Sequence, residues 1–180
     1  MEQPYYYGQL GKDARAAYTA MLLCMEQLAP SARVPRLDDG TLSDVFARLK
    51  LDHPEIFYVK SYTYSYTEES DYVNLEPAYL FDKAKIRSQQ KALETRAARL
   101  ARQAEGGGEE EREAFIHRFI VENVRYDKLK KEYSHEVLGP LTTGVGVCEG
   151  IAKTVKLLCA RLELPCIVAI SEADPAHGVK

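Results

Sequence analysis

Tryptophan is absent from this 180-residue sequence and cysteine is sparse. The four cysteines, Cys24, Cys148, Cys159 and Cys166, are too few and too scattered for a disulfide scaffold, and none form a Cys-x-x-Cys pair. Cys148, Cys159 and Cys166 are spaced by eleven and seven residues. That places them neither on one helix face nor in a knuckle, so no metal site is expected. No apolar run approaches the ~18 residues of a membrane span. The opening Met-Glu-Gln-Pro-Tyr-Tyr-Tyr lacks a basic region followed by an apolar stretch, so no signal peptide is expected. Positive charge is not in excess: 24 Lys and Arg against 27 Asp and Glu leave a net charge of −3. Non-specific nucleic-acid binding needs a basic face and is therefore not expected. What is present is ordinary globular material, with 46% apolar and 28% charged residues. A chain of this length buries roughly 70% of its unfolded surface and needs no staple to fold.

Leu10, Ala14, Ala17, Tyr18, Met21, Leu22, Met25 and Leu28 recur at helical spacing and predict a helix over 10–29, ended by Pro30. A polar stretch with Pro35 and Gly40 follows. A second, shorter helix carries Leu42, Val45, Phe46 and Leu49, with Thr41 or Ser43 as its cap and Pro54 as its stop. From Ile56 the period changes to two. Tyr58, Tyr62, Tyr64 and Tyr66, then Val73, Leu75 and Tyr79, predict a hairpin over 56–81, with Pro77 placing its strand on an edge or at a bulge. Residues 83–104 predict a helix with an apolar stripe (Ile86, Leu93, Ala97, Leu100, Ala101) and a solvated charged remainder. Gly106-Gly107-Gly108 breaks it. Glu109–Glu111 then start a helix carrying Phe115, Ile116, Phe119, Ile120 and Val124, where their charge suits the helix N-terminus.

The chemistry concentrates in residues 139–166. A glycine-bearing loop runs into Cys148, after which Ile151, Val155, Leu158, Cys159 and Leu162 recur at helical spacing. Cys148 is therefore expected at, or one residue before, the first turn of a buried amphipathic helix. The unpaired N–H groups and dipole there favour thiolate over thiol. The same amides could hold the oxyanion formed when a thiolate attacks a carbonyl. Gly144 and Gly146 would let a substrate backbone approach closely. The bland alternative is a small buried cysteine that merely packs. Cys24, Cys159 and Cys166 fit that alternative, and Cys166 opens the run Ile167-Val168-Ala169-Ile170, which has the look of a buried strand.

Several ordered elements resemble the bacterial transglutaminase-like superfamily, a branch of the papain-like cysteine enzymes. Val147-Cys148-Glu149-Gly150 followed by Ala152-Lys153 resembles that family's nucleophile motif, with Ile151 where the family has Tyr. Val124-Arg125-Tyr126-Asp127 is similar to the family's Val-x-Tyr-Asp helix end, and His135 lies where members often carry a His before a Gly-rich turn. Leu164-Pro165-Cys166 resembles the element that leads into the family's first sheet strand. Asp52-His53-Pro54-Glu55-Ile56-Phe57-Tyr58 is similar to one found ahead of the domain. The likeness touches residues from about 52 to 171.

The resemblance implies an α+β fold: a helical region plus hairpin over 1–105, then a partial papain-like core over 109–180 with Cys148 as nucleophile. It implies acyl transfer or hydrolysis at peptide or glutamine amides, a peptide or protein substrate and no cofactor. The family completes a Cys-His-Asp triad with a His-Ala-Trp strand and a later Asp. The sequence reaches Lys180 without that motif, and His177 in Pro-Ala-His-Gly-Val-Lys does not match it. The chain is thus expected to represent the nucleophile half. His117 and His135 remain as upstream histidines, the first among the apolar positions of its helix. A strand at 166–171 without its neighbours is expected to pair with a second copy, to close against the 56–81 hairpin, or to mark a fragment. A binding or scaffold module that keeps the fold without the chemistry is the alternative. Its contact face would be the tyrosines at 5–7 and 58–66, which otherwise read as a half-buried sheet face.

Overall fold

In the computed structural model, which describes residues 4–170, a short helix α1 (Tyr5–Gln9) precedes the expected long one, α2 (Lys12–Glu26). Ala17, Tyr18, Met21, Cys24 and Met25 form the buried face of α2. The helix ends before Pro30. Leu28 takes a positive φ of 53°, and the Ala29 N–H turns back to the Cys24 carbonyl at 2.9 Å. Tyr5, Tyr6 and Tyr7 belong to α1, so they are not part of a sheet face.

Helix α3 (Asp39–Asp52) buries Leu42, Val45 and Leu49. Its cap is Asp38 rather than Thr41 or Ser43: the Asp38 carboxylate accepts from the Thr41 N–H at 2.9 Å. A carboxylate placed three residues ahead of that amide satisfies it as well as a hydroxyl would.

The hairpin forms from β2 (Val59–Ser65) and β3 (Tyr72–Tyr79). A strand that the sequence pattern does not reveal, β1 (Ala32–Pro35), joins them in an antiparallel sheet of order β1-β3-β2. Four residues carrying Arg33 and Pro35 hold too little alternation to betray a strand. Pro77 sits on the central strand, opposite Tyr62, and the register irregularity lies instead between Val59 and Ser61. Pro77 is tolerated because β1 reaches only Tyr72–Leu75, so β3 has one neighbour at that point. Ile56, Phe57 and Tyr58 precede the pairing and are almost completely buried.

Helix α4 (Lys83–Ala101) buries Ile86, Leu93, Ala97 and Ala101 and leaves its charged remainder largely to solvent. Helix α5 (Glu109–Asn123) begins after Gly108, whose N–H is held by the Glu111 carboxylate at 2.8 Å. Two two-residue strands, β4 (Arg125–Tyr126) and β5 (Val145–Gly146), pair in parallel, with a 3₁₀ turn at Glu132–His135 and a π turn at Gly139–Thr143 between them. Helix α6 (Cys148–Arg161) packs against α4 and α5. The class is α+β. One apolar cluster runs from Met21, Leu42 and Leu75 to Ile116, Leu141 and Leu158, so the segments before and after the glycine break share a core.

The expected strand at 166–171 is not formed over its described part. Cys166–Ile170 pairs with no sheet strand. Instead the Tyr6 hydroxyl donates to the Val168 carbonyl at 2.6 Å, and the Val168 side chain is buried. The segment is thus held by α1 and not by the hairpin, while Ile167 and Ile170 face solvent. Residue 171 and His177 lie outside the described residues. Among those residues no helix is long and apolar enough to cross a membrane.

Candidate functional site

Cys148 is the first residue of α6 and is exposed. Its neighbour Val147 takes the N-cap position with extended backbone (φ −93°, ψ 175°) and offers no side-chain cap. The opening amides of the helix therefore have no side-chain acceptor of their own. The Val147 N–H is tied to the Ser134 carbonyl at 3.0 Å, which docks the start of α6 onto the 3₁₀ turn.

That docking explains the glycine at position 150. A Cβ on Gly150 would stand 2.2 Å from the Ser134 carbonyl oxygen and 3.1 Å from that of Glu136. Nothing larger than hydrogen fits. Gly139 is used in the same way: a Cβ there would meet the Val145 carbonyl at 2.5 Å and the Tyr133 carbonyl at 2.7 Å. The space at Gly144 and Gly146 is not held open for substrate. Gly144 has a φ of 67° and faces the Asn123 carbonyl, and a Cβ on Gly146 would strike Pro140 at 2.8 Å. Both glycines serve the chain's own packing.

Asp127 fixes the other side of this loop. Its carboxylate accepts from the amides of Leu129 (3.0 Å) and Lys131 (2.9 Å) and from the Ser134 hydroxyl (2.5 Å). These donors, the Ser134 hydroxyl first, hold its carboxyl below the usual carboxylate range. The Asp127 N–H in turn donates to the Gly146 carbonyl at 3.0 Å. The Val-Arg-Tyr-Asp element therefore builds the scaffold under the cysteine loop.

Behind the start of α6 lies a cluster of charges that hydrophobic patterning does not reveal. Lys153 is 1% exposed and lies 2.7 Å from Glu149 and 3.1 Å from Glu136. Its ammonium also donates to the His135 carbonyl at 3.3 Å. The contact with Glu136 is ionic, without the angle of a hydrogen bond. Lys50, from α3, meets the other oxygen of Glu136 at 3.1 Å and donates to the carbonyls of Ile56 and Val59. Burial pushes the Lys50 ammonium below its ordinary pKa although Glu136 pulls against it. For Glu149, burial works upward, but Lys153 and His135 outweigh it and hold the carboxyl below its usual range. His135 Nδ1 lies 3.2 Å from Glu149, the residue next to Cys148, so its Nε2 is the ring nitrogen outside that contact. His117 is exposed on α5 and takes no part.

The buried face of α6 keeps Leu158, Cys159 and Leu162 of its apolar stripe but turns toward the charge cluster in the first half of the helix. Gly150, Lys153, Thr154, Leu158 and Cys159 are buried, while Ile151 and Val155 are only half-buried. Lys153 stands four residues after Glu149, and that spacing was the available signal for the ion pair.

Asp52 makes a second junction. Its side chain is fully buried and accepts from the amides of Tyr6 (3.2 Å) and Tyr7 (3.0 Å) and from the Tyr18 hydroxyl (2.9 Å), with Lys156 of α6 at 3.9 Å. The Asp-His-Pro-Glu-Ile-Phe-Tyr element is thus a structural joint between α1, α2, α3 and α6. A cavity of about 390 Å³ opens elsewhere, between α4 and α6. Phe57, Leu93, Val137 and Leu157 line it, with Lys91, Glu94 and Arg161. Cys148, Glu149 and His135 do not line it, so it is separate from the cysteine site. Among the described residues no group of three or more His, Cys, Asp or Glu side chains could hold a metal ion.

Of the other thiols, Cys24 is buried, and burial pushes it up. Cys159 is buried and Cys166 half-buried. Comparison of the chain with models of known protein families and with curated proteins gave no match.

Proposed function

We propose that this chain carries the nucleophile of a transglutaminase-like cysteine enzyme that hydrolyses or transfers peptide or glutamine amides. The observation that supports this most is the position of Cys148: exposed, and first in a helix whose opening amides lack a side-chain cap. In this reading the Cys148 thiolate attacks an amide carbonyl carbon and a C–S bond forms. The charge gathers on the carbonyl oxygen, where helix-start amides can hold it. The C–N bond breaks and the amine departs with the proton the Cys148 thiol gave up, leaving a thioester that water or a second amine resolves. Among the described residues, His135 is the imidazole linked to this segment, through Glu149. In the family the base and its orienting Asp come from a His-Ala-Trp strand and a later residue, a pattern the sequence up to Lys180 does not contain.

Iodoacetamide at neutral pH is the test. Cys148 should be carbamidomethylated before Cys24, Cys159 and Cys166 in the native protein, by at least the margin by which an ordinary exposed thiol reacts. Peptide mass spectrometry against time reads the order. Labelling of Cys148 no faster than of Cys166 would remove the activated-thiolate reading. A Cys148→Ala variant separates this reading from a scaffold role: turnover of an amide substrate should vanish, whereas a binding module would keep its affinity.

A further inference from the structure

The sequence offers Cys159 and Cys166 as two unrelated packing residues, but the fold brings them together. Helix α6 ends in a turn in which Glu163 takes a positive φ of 57° and the Leu164 N–H donates to the Cys159 carbonyl at 2.9 Å. The chain thereby reverses onto the helix at the level of Cys159. Two residues later the Cys166 carbonyl accepts from Lys156 at 3.4 Å. Lys156 and Cys159 stand three apart and share a face of α6, so Cys166 crosses that face beside Cys159. Cys159 belongs to the apolar core and Cys166 packs against it. Burial, and after it the neighbouring Cys166 thiol, raises the Cys159 thiol. Neither cysteine is in a disulfide in this structure.

We infer that Cys159 and Cys166 form an oxidisable dithiol site, closed to an intramolecular disulfide by a low-molecular-weight disulfide such as oxidised glutathione. Cys166, the more exposed of the two, loses its proton and attacks one sulfur of the oxidant. A mixed disulfide forms and one thiolate of the oxidant leaves. The Cys159 thiolate then attacks the Cys166 sulfur, the protein disulfide forms, and the second thiolate leaves. Two protein thiols are oxidised by one electron each and the oxidant is reduced by two, with both protons passing to solvent or to the released thiolates. The second step is the slow one, because Cys159 is buried and its thiol is raised. The cross-link would fix the segment after α6 to the helix. That segment includes Val168, whose carbonyl holds Tyr6 of α1.

The test uses the full chain carrying Cys148→Ala, so that the exposed thiol does not compete. The native protein is incubated at pH 8 with oxidised glutathione in excess over reduced, quenched in acid, alkylated in denaturant without reduction, and digested. The expected result is a major species that takes up one alkyl group, on Cys24, where the reduced protein takes up three, and that before alkylation is lighter than the reduced protein by two hydrogen atoms. Its Cys159 and Cys166 peptides should be linked, and dithiothreitol should reverse the link. The glutathione adduct on Cys166 should convert to the linked form faster as pH rises. A Cys166→Ser variant should leave Cys159 unmodified under the same conditions. A protein that stops at the adduct, or that links Cys159 to Cys24, overturns the inference. None of these readouts depends on the catalytic reading of Cys148.

Discussion

Gly150→Ala tests the docking of α6, the helix that begins at Cys148, most directly. The added carbon would lie 2.2 Å from the Ser134 carbonyl oxygen, 3.0 Å from its carbon and 3.1 Å from the Glu136 oxygen. All three are backbone atoms, so no side-chain rotation relieves the overlap. Restoring ordinary contact requires the start of α6 to move by about 1 Å, which is the scale at which overpacking costs ~1–3 kcal/mol. The same movement stretches the 3.0 Å bond from the Val147 N–H to Ser134, worth ~0.5–1.5 kcal/mol. Alanine's better helix propensity returns ~1 kcal/mol. The net is a loss of about 0.5–3.5 kcal/mol, centred near 2. With a urea slope of ~2 kcal/mol/M, the unfolding midpoint should fall by about 1 M. Gly8→Ala is the control, because Gly8 lies within α1 and a Cβ there meets nothing within 4 Å. It should be neutral or slightly stabilising. If Gly150→Ala unfolds at the wild-type urea concentration, or if Gly8→Ala costs as much, the close approach of α6 to the 3₁₀ turn is not what holds Cys148 in place.

Other perturbations follow from the same geometry. Lys153→Met takes the ammonium from Glu149 and one of the two that meet Glu136, where Lys50 remains, and should cost ~1–3 kcal/mol by chemical denaturation. Lys60→Met, which removes the exposed pair with Glu132, should cost no more than ~1 kcal/mol. Tyr18→Phe takes one donor from the fully buried Asp52 carboxylate and should lower stability by ~1–3 kcal/mol, measured by thermal unfolding. Asp127 has a folded pKa below its unfolded value. Its contribution is therefore complete above the unfolded value near 3.8 and is lost as pH falls from there through the folded pKa. Asp127→Asn should flatten that acid limb, and urea midpoints taken from pH 5 downward would show whether it does.

Much of the fold was legible along the chain because local physics dominated there. Residues 10–29 and 83–104 carry long apolar stripes of one period, and both became helices near those bounds. Cys148 at the start of a helix was legible too, since a glycine loop running into a helical stripe leaves few places for the first turn. β1 was not legible, because four residues with Arg33 and Pro35 become a strand only by pairing with Tyr72–Leu75. The strand expected at 166–171 failed, over its described part, for the converse reason. An apolar run specifies burial, and Cys166–Ile170 found partial burial against α1 without any strand to pair with.

The sequence alone determined the α+β class, the helical stripes, the hairpin and the chemical identity of the candidate nucleophile. Those follow from side-chain period, from glycine and proline, and from the one residue type whose thiolate attacks a carbonyl. Only the tertiary structure decided what surrounds Cys148. Lys50, on α3, lies far from Cys148 along the chain, yet with Glu136 and Lys153 it forms the charge cluster behind the start of α6. Burying a lysine is unfavourable in isolation and becomes tolerable only when distant carboxylates and carbonyls converge on it. No local pattern encodes that convergence, so it first becomes visible when the chain has folded.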